Sequence, residues 1–159
     1  MDNDSVKNDN VNHPSHYCDN RAGIEVIEVT GNLNFDLGNA FKYLARYKSK
    51  KLPAEDVRKA VFYLNHYAAN LNALYNISVC VDEHRPVLIK KMERFCEVED
   101  VPCIRRAMES IKQCVLAEED HISADKLPLL RPDEWKITIR DLRDYADRIE
   151  DKKPEDFNA

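Results

Sequence analysis

The stretch that decides the fold is "FDLGNAFKYLARYKSKKLPAEDVRKAVFYLNHY", residues 35–67. In its first half, Leu37, Phe41 and Leu44 recur at helical spacing, and Asp36 lies near the start. Lysines crowd the end of this half, where the helix dipole favours cations. The pattern therefore predicts an amphipathic helix that ends in a basic turn.

The second half of the same stretch predicts another helix. Pro53 suits a first helical position, and Glu55 and Asp56 follow in the first turn, where the dipole favours anions. An apolar stripe then continues at helical spacing, formed by Val57, Val61, Leu64, Ala68 and Leu71. Because the connection between the two helices is short, we expect a helical hairpin.

The rest of the chain extends the helical pattern. Residues 85–100 and 101–120 are both amphipathic, with inner faces formed by Leu88, Met92 and Phe95 and by Ile104, Met108, Ile111 and Val115. A loop around 121–132 precedes a last charged helix over 133–151. The predicted architecture is all-α, with a helical hairpin core, an N-terminal arm and a helical C-terminal extension. We expect a disordered leader at 1–12, the hairpin domain at 13–77, the extension at 78–151 and a flexible tail at 152–159.

Composition excludes several classes of function. The chain of 159 residues has only three glycines, which argues against a glycine-rich phosphate loop. Its net charge of -5 disfavours a nucleic-acid binder. No apolar run reaches the roughly 18 residues of a membrane span, and the first residues lack the order of a signal peptide. Five cysteines without a Cys-x-x-Cys pair indicate reduced thiols. We therefore expect a soluble cytoplasmic protein with neither a membrane nor a nucleic-acid partner.

Two rows of polar side chains lie beside the apolar stripes of the hairpin. One row is Asn39, Lys42, Arg46 and Lys50, and the other is Asp56, Lys59, Tyr63 and His66. If the helices pack by their apolar stripes, these rows flank a common groove whose lysines and arginine suit a phosphate. Stacking faces for a base are available from Tyr43, Tyr47, Tyr63 and Tyr67. The alternative is that both rows are ordinary solvated helix faces.

Four motifs in this order resemble the SaV-like domain of the phage-encoded nucleotide kinase family. They are "NHPSHY" (12–17), "GIEVIEV" (23–29), "GNAFKYLARY" (38–47) and "EDVRKAVFYLN" (55–65), and the resemblance covers about residues 11–70. It implies a phage protein that phosphorylates deoxynucleoside monophosphates such as dTMP or dGMP without a Walker A loop. It also implies a large homo-oligomer in a bacterial cytoplasm, and a helical "GIEVIEV" segment despite its β-branched residues.

The resemblance implies a set of site residues, whose roles follow from their chemistry. Phosphoryl transfer depends mainly on charge neutralisation and alignment. We expect Lys42 and Arg46 to clamp phosphate, and His13 and His16 to donate to a phosphate oxygen or carry a proton. Further nucleotide-binding candidates are Tyr17, Glu25, Asn39, Tyr43, Lys50, Asp56, Lys59 and Tyr63. The motifs also contain Gly23, Gly38 and Leu64, of which Gly38 and Leu64 suit structural roles.

Other interpretations stay open. The histidines could simply cap a helix or pack the arm, and "His13-x-x-His16-x-Cys18" is an incomplete metal-ligand pattern. Glu25 with Glu28 is similar to the carboxylate pairs that hold magnesium in all-α nucleotide pyrophosphohydrolases. A row of Asp141, Asp144 and Asp147 could supply further carboxylates, or simply be a solvated face. A third class is a non-catalytic protein that sequesters a nucleotide or a host factor. The sequence requires no metal and leaves the cofactor undetermined, although magnesium is compatible with the kinase hypothesis.

Overall fold

The predicted all-α architecture is confirmed by the computed structural model, which describes residues 20–70, 79–80, 82–119 and 132–157. The α-helices in these ranges are α1 Ile27–Thr30, α2 Phe35–Arg46, α3 Pro53–Ala69, α4 Arg85–Val98, α5 Pro102–Glu119 and α6 Pro132–Arg148. Short 3₁₀ turns occur at Tyr47–Ser49, Asp82–His84 and Pro154–Phe157. Within the described ranges there is no β-strand, only an isolated antiparallel bridge between Leu33 and Cys80. None of the described helices is long and apolar enough to cross a membrane.

Helices α2 and α3 form the predicted hairpin. Asn34 caps α2, because its side-chain oxygen accepts a hydrogen bond from the Leu37 amide at 3.0 Å. The 3₁₀ turn Tyr47–Ser49 ends α2, and α3 begins with Pro53 in its first turn. The apolar stripes face each other, as expected, and are buried at Leu37, Phe41, Leu44, Val57, Val61 and Leu64. Of the other two predicted stripe residues, Ala68 is half-buried and Leu71 lies outside the described residues.

The helical extension closes over this hairpin. The predicted inner faces of α4 and α5 are buried at all seven positions, and the ring of Phe95 on α4 packs edge-on against Phe41 of α2 at 5.4 Å between centroids. Helix α6 runs antiparallel to α3, since Trp135 near its start contacts Tyr67 near the end of α3. At the other end, Arg58 of α3 pairs with Asp147 of α6 at 3.0 Å. Buried residues of the hairpin and the extension thus form one continuous core.

A charged cluster ties the end of the hairpin to the α4–α5 connection. The Lys48 ammonium donates to Glu99 at 3.0 Å and also to Asp100, and Glu99 accepts from the Val101 amide at 2.8 Å. Burial raises the pKa of Glu99 above its usual range, against the opposing effects of the Val101 amide and Lys48. Burial acts to lower the pKa of Lys48, but its hydrogen bonds to Asp100 and Glu99 outweigh this and raise it. Asp100 also pairs with Arg21, so the cluster joins three segments of the chain.

Two segments differ from the sequence-based expectations. The "GIEVIEV" segment is helical only from Ile27, because the residues before it form turns in which Gly23 has a φ of 66°. Within the expected flexible tail, Pro154–Phe157 forms a 3₁₀ turn, and the Phe157 ring packs edge-on against Tyr47 at 5.7 Å. The predicted leader, residues 1–12, lies outside the described residues.

Candidate functional site

Three cations surround one tyrosine ring at the centre of the hairpin. The distances to the centroid of Tyr43 are 4.6 Å from Lys42 Nζ, 4.7 Å from Arg46 Cζ and 5.7 Å from Lys59 Nζ. All three distances lie within the range of cation–π attraction. We call Lys42, Arg46 and Lys59 the cation cluster. The two helices therefore bring together the cations that the sequence singled out, apart from Lys50.

Asp56 holds two members of the cation cluster in place. Its side chain is only 5% exposed, and Oδ2 accepts from Arg46 Nε at 2.9 Å while Oδ1 lies 3.4 Å from Arg46 Nη2. Lys59 Nζ lies 3.8 Å from Oδ1 and 2.5 Å from a carboxylate oxygen of Glu55. Since a carboxylate repels a phosphate, this geometry makes Asp56 a residue that positions cations.

Lys42 differs from the other two cations. Its ammonium donates to Asn39 Oδ1 at 2.6 Å, and no carboxylate of the described residues is within ion-pair distance of it. Burial lowers the pKa of Lys42, and the neighbouring Arg46 and Lys59 lower it further, while Asp56 opposes them. The site therefore holds a half-buried positive charge that an incoming anion would stabilise.

The two predicted polar rows meet at the Arg46–Asp56 pair, and other side chains of α2 and α3 make further contacts. Besides the Arg46–Asp56 pair, the rings of Tyr43 and Tyr63 stack at 5.9 Å with an interplanar angle of 14°. At the open end of the hairpin, His66 Nδ1 lies 2.7 Å from Asp36 Oδ2. Tyr43 and Asp36 are not members of the predicted row on α2, so of these contacts the Arg46–Asp56 pair alone joins the two rows. These contacts fill the space between the described residues of α2 and α3. A ligand would therefore bind at the outer edge of the interface between the two helices.

Tyr47 and Tyr67 do not offer the stacking faces that the sequence suggested. Tyr47 is 1% exposed and packs against Tyr145 and Phe157. Tyr67 is 5% exposed and contacts Trp135. That part of the prediction is wrong, because both rings belong to the core shared with α6 and the C-terminal 3₁₀ turn.

Sequence reasoning missed two exposed phenylalanines beside the site. Phe35 is 75% exposed and Phe62 is 64% exposed, and each ring stands edge-on against Tyr63, at 5.7 and 5.2 Å between centroids. We call Phe35, Phe62 and Tyr63 the aromatic edge. Both phenylalanines lie off the apolar stripes of their helices, and that misplacement is the signal that could have identified them.

The remaining candidates lie in other places. Lys50 follows the 3₁₀ turn in extended backbone, so the predicted helical row does not continue from Arg46 to Lys50. Glu25 lies in the turn before α1, where its amide donates to Glu28 Oε1. The arm residues His13, His16 and Tyr17, and with them Cys18, lie outside the described residues.

Carboxylates that could have held magnesium in the alternative interpretation form ion pairs with lysine or arginine side chains. Glu28 pairs with Lys91 at 2.6 Å, and Asp141 pairs with both Arg106 and Arg140. Among the described residues, no group of three or more His, Cys, Asp or Glu side chains could hold a metal ion. An open depression of about 310 Å³ lies between α1 and α4, lined by Glu28, Asn32, His84, Val87, Leu88 and Lys91.

One comparison with known proteins finds a match, which runs from the N-terminal arm into α3. Residues 11–65 match the model of a protein family of unknown function, DUF3310. The matched segment contains all four motifs, the cation cluster and the aromatic edge. No curated protein matches the chain. No solved structure matches it either.

Proposed function

We propose that this protein is a nucleoside monophosphate kinase, which binds a deoxynucleoside monophosphate at the cation cluster and transfers a phosphoryl group to it from a nucleoside triphosphate. The observation that carries the proposal is Lys42, a half-buried ammonium that has two cations beside it and no described carboxylate within ion-pair distance. The resemblance of the four motifs to the phage kinase family supplies the reaction type. The same resemblance is the reason to propose a homo-oligomer that acts in the cytoplasm of an infected bacterium.

Phosphoryl transfer requires mainly two things from the protein, which are positive charge and alignment of the two substrates. A phosphate monoester has its second pKa near 6, so the acceptor is largely dianionic at neutral pH. One of its oxygens attacks the terminal phosphorus of the triphosphate, and the bond to the leaving nucleoside diphosphate breaks. No proton transfer is needed for this step. The cation cluster reduces the repulsion between the two anions and stabilises the charge on the transferring group.

Lys42 and Arg46 have distinct parts in this mechanism. Lys42 acts as a point charge whose ammonium has three N–H donors, so it can contact a phosphate oxygen while it keeps its hydrogen bond to Asn39. Arg46 is held by Asp56 beside Lys42 and contributes the fixed positive charge of its guanidinium to the site. Lys59 contributes charge from the facing helix.

The decisive experiment incubates purified protein with ATP and a panel of deoxynucleoside monophosphates, with and without a chelator, and resolves the products. New nucleoside diphosphate supports the kinase. Cleavage of the triphosphate to monophosphate and pyrophosphate would instead identify a pyrophosphohydrolase, and the chelator arm reports whether magnesium accompanies the substrate.

A matched pair of lysine variants links turnover to the site. Lys42→Gln removes the charge at the cluster, whereas Lys136→Gln removes an exposed charge on α6 whose described partner is Asp133. A charge-assisted contact contributes about 1.5–3 kcal/mol, so Lys42→Gln should weaken monophosphate binding about 10- to 150-fold. Lys136→Gln should leave it unchanged. Equal effects of the two variants would contradict the assigned site.

A second candidate is nucleotide binding without turnover. Two ion pairs favour it, because Arg46 pairs with Asp56 and Lys59 pairs with Glu55. Lys42 is then the cation best placed to contact a phosphate. Saturable binding of a monophosphate, together with no diphosphate product in any arm of the assay, would select this candidate.

A further inference from the structure

The aromatic edge is unusual for the amount of ring surface it leaves in water. Phe35 and Phe62 are each more than 60% exposed, yet both rings are oriented by their edge-on contact with the half-buried Tyr63. Tyr63 in turn stacks on Tyr43, the ring at the centre of the cation cluster. The exposed rings and the cations are therefore two ends of one continuous surface.

Asn39 fixes the distance between these two ends. Its side-chain nitrogen donates to the Phe35 carbonyl at 2.8 Å, and its side-chain oxygen accepts from Lys42 Nζ at 2.6 Å. One carboxamide thus connects the backbone beneath the Phe35 ring to the ammonium. Helical side chains lean toward the N-terminus of their helix, which brings the Lys42 ammonium toward Phe35.

From this juxtaposition we infer that the aromatic edge is the base-binding platform of the site, with the nucleobase on Phe35 and Phe62 and the 5′-phosphate on Lys42. The inference rests on the proposed function, and it adds the direction in which the nucleotide lies. The base is at the N-terminal end of α2, and the phosphate lies further along the helix, on a lysine whose Cα is about two helical turns from that of Phe35.

A nucleotide suits this surface better than a second copy of the chain does. The surface combines exposed aromatic rings with a positive charge that lacks a described carboxylate partner. A nucleotide presents a flat aromatic face and an anion on opposite sides of one sugar, so a single ligand satisfies both ends. Stacking on aromatic side chains is tolerant of base identity, so this platform by itself does not select one monophosphate.

The test separates base binding from phosphate binding. Calorimetric titrations measure the affinity of wild type, Phe35→Ala, Phe35→Trp and Lys42→Gln for dTMP and for 2-deoxyribose 5-phosphate, which has no base. Phe35→Ala should weaken dTMP binding about 5- to 150-fold and leave the sugar phosphate unaffected. Phe35→Trp should retain dTMP binding, and Lys42→Gln should weaken both ligands. Ile27→Ala, which truncates another large exposed apolar side chain, on α1, is the control and should change neither.

Failure of the inference and failure of the proposed function give different results. If Lys42→Gln weakens both ligands but Phe35→Ala changes neither, the phosphate site stands and the platform is wrong. If Phe35→Ala weakens both ligands equally, the ring has a structural role and the platform is also wrong. If Phe35→Ala dissociates an oligomer in sedimentation experiments without affecting dTMP, the occupant is a second copy. If the wild type binds no nucleotide, the proposed function itself fails.

Discussion

Replacing Asp56 by asparagine should destabilise the protein far more than breaking an exposed ion pair of the same type. Asp56→Asn preserves the shape of the side chain but removes the charge that faces Arg46. The two side chains are 5% and 13% exposed and lie 2.9 Å apart, so the pair is almost fully buried. Removal of one partner from a buried pair typically costs 3–5 kcal/mol, because the other charge stays in a poorly solvated place.

We expect Asp56→Asn to lower the free energy of unfolding by about 3 kcal/mol. This is the low end of the range for buried pairs, because Lys59 beside Asp56 is partly exposed to solvent. For a chain of this size, that loss corresponds to a decrease in melting temperature of about 6–12 °C. The matched control is Asp147→Asn, which faces Arg58 with side chains 73% and 43% exposed. That variant should lose no more than about 0.5 kcal/mol.

Urea denaturation followed by far-ultraviolet circular dichroism measures both variants, with and without inorganic phosphate. Phosphate should restore more stability to Asp56→Asn than to the wild type, because an anion can replace the lost carboxylate beside Arg46 and Lys59. A loss below 1 kcal/mol, or one equal to that of Asp147→Asn, would refute the reasoning about burial. Absence of the phosphate effect would weaken the assignment of the cation cluster as an anion site.

Three further predictions concern the rest of the molecule. The hydrogen bond from Lys48 holds the pKa of Asp100 at about 2, below the pKa of Asp in an unfolded chain. The ionised Asp100 carboxylate therefore stabilises the fold above about pH 4. This contribution disappears as the pH falls through about 2. Asp100→Asn should therefore cost up to about 1 kcal/mol at neutral pH, after allowance for the exposure of Asp100, and nothing near pH 2, as measured by urea denaturation across pH. Burial raises the pKa of Cys96 to about 12, so its thiol is protonated and unreactive at pH 8 in the folded protein. Peptide mapping should therefore show that Cys96 is alkylated only as fast as the protein unfolds. Labelling of Cys96 within seconds would contradict this. Leu142→Ala on α6 should cost about 2–5 kcal/mol in a single unfolding transition, whereas two transitions would mean that the extension unfolds separately.

The helices were predictable because their apolar residues recur at regular helical spacing and because residues typical of helix ends flank them. Residues 85–100, 101–120 and 133–151 were expected to be helical, and the structure has α4, α5 and α6 within two or three residues of those limits. The segment before α1 was harder, since its few β-branched residues have no clear period and tertiary contacts decide its conformation.

The site was only partly predictable, for a related reason. Helical spacing places Lys42, Arg46 and Asn39 on one side of α2, but which carboxylate meets which cation depends on how the helices pack. The buried role of Asp56 and the withdrawal of Tyr47 and Tyr67 into the core follow from contacts with residues distant in the sequence. Pattern analysis within one helix cannot supply such contacts.

The antiparallel packing of α6 on α3 also has a consequence during synthesis. The partner of the α3 surface at Tyr67 and Arg58 lies near the end of the chain, at Trp135 and Asp147. At typical translation rates of about 5–20 residues per second, the ribosome needs on the order of 4–16 s to proceed from the end of α3 to the end of α6. For that interval the nascent hairpin carries an uncovered apolar face, so a chaperone that binds such faces has its best opportunity before α6 emerges.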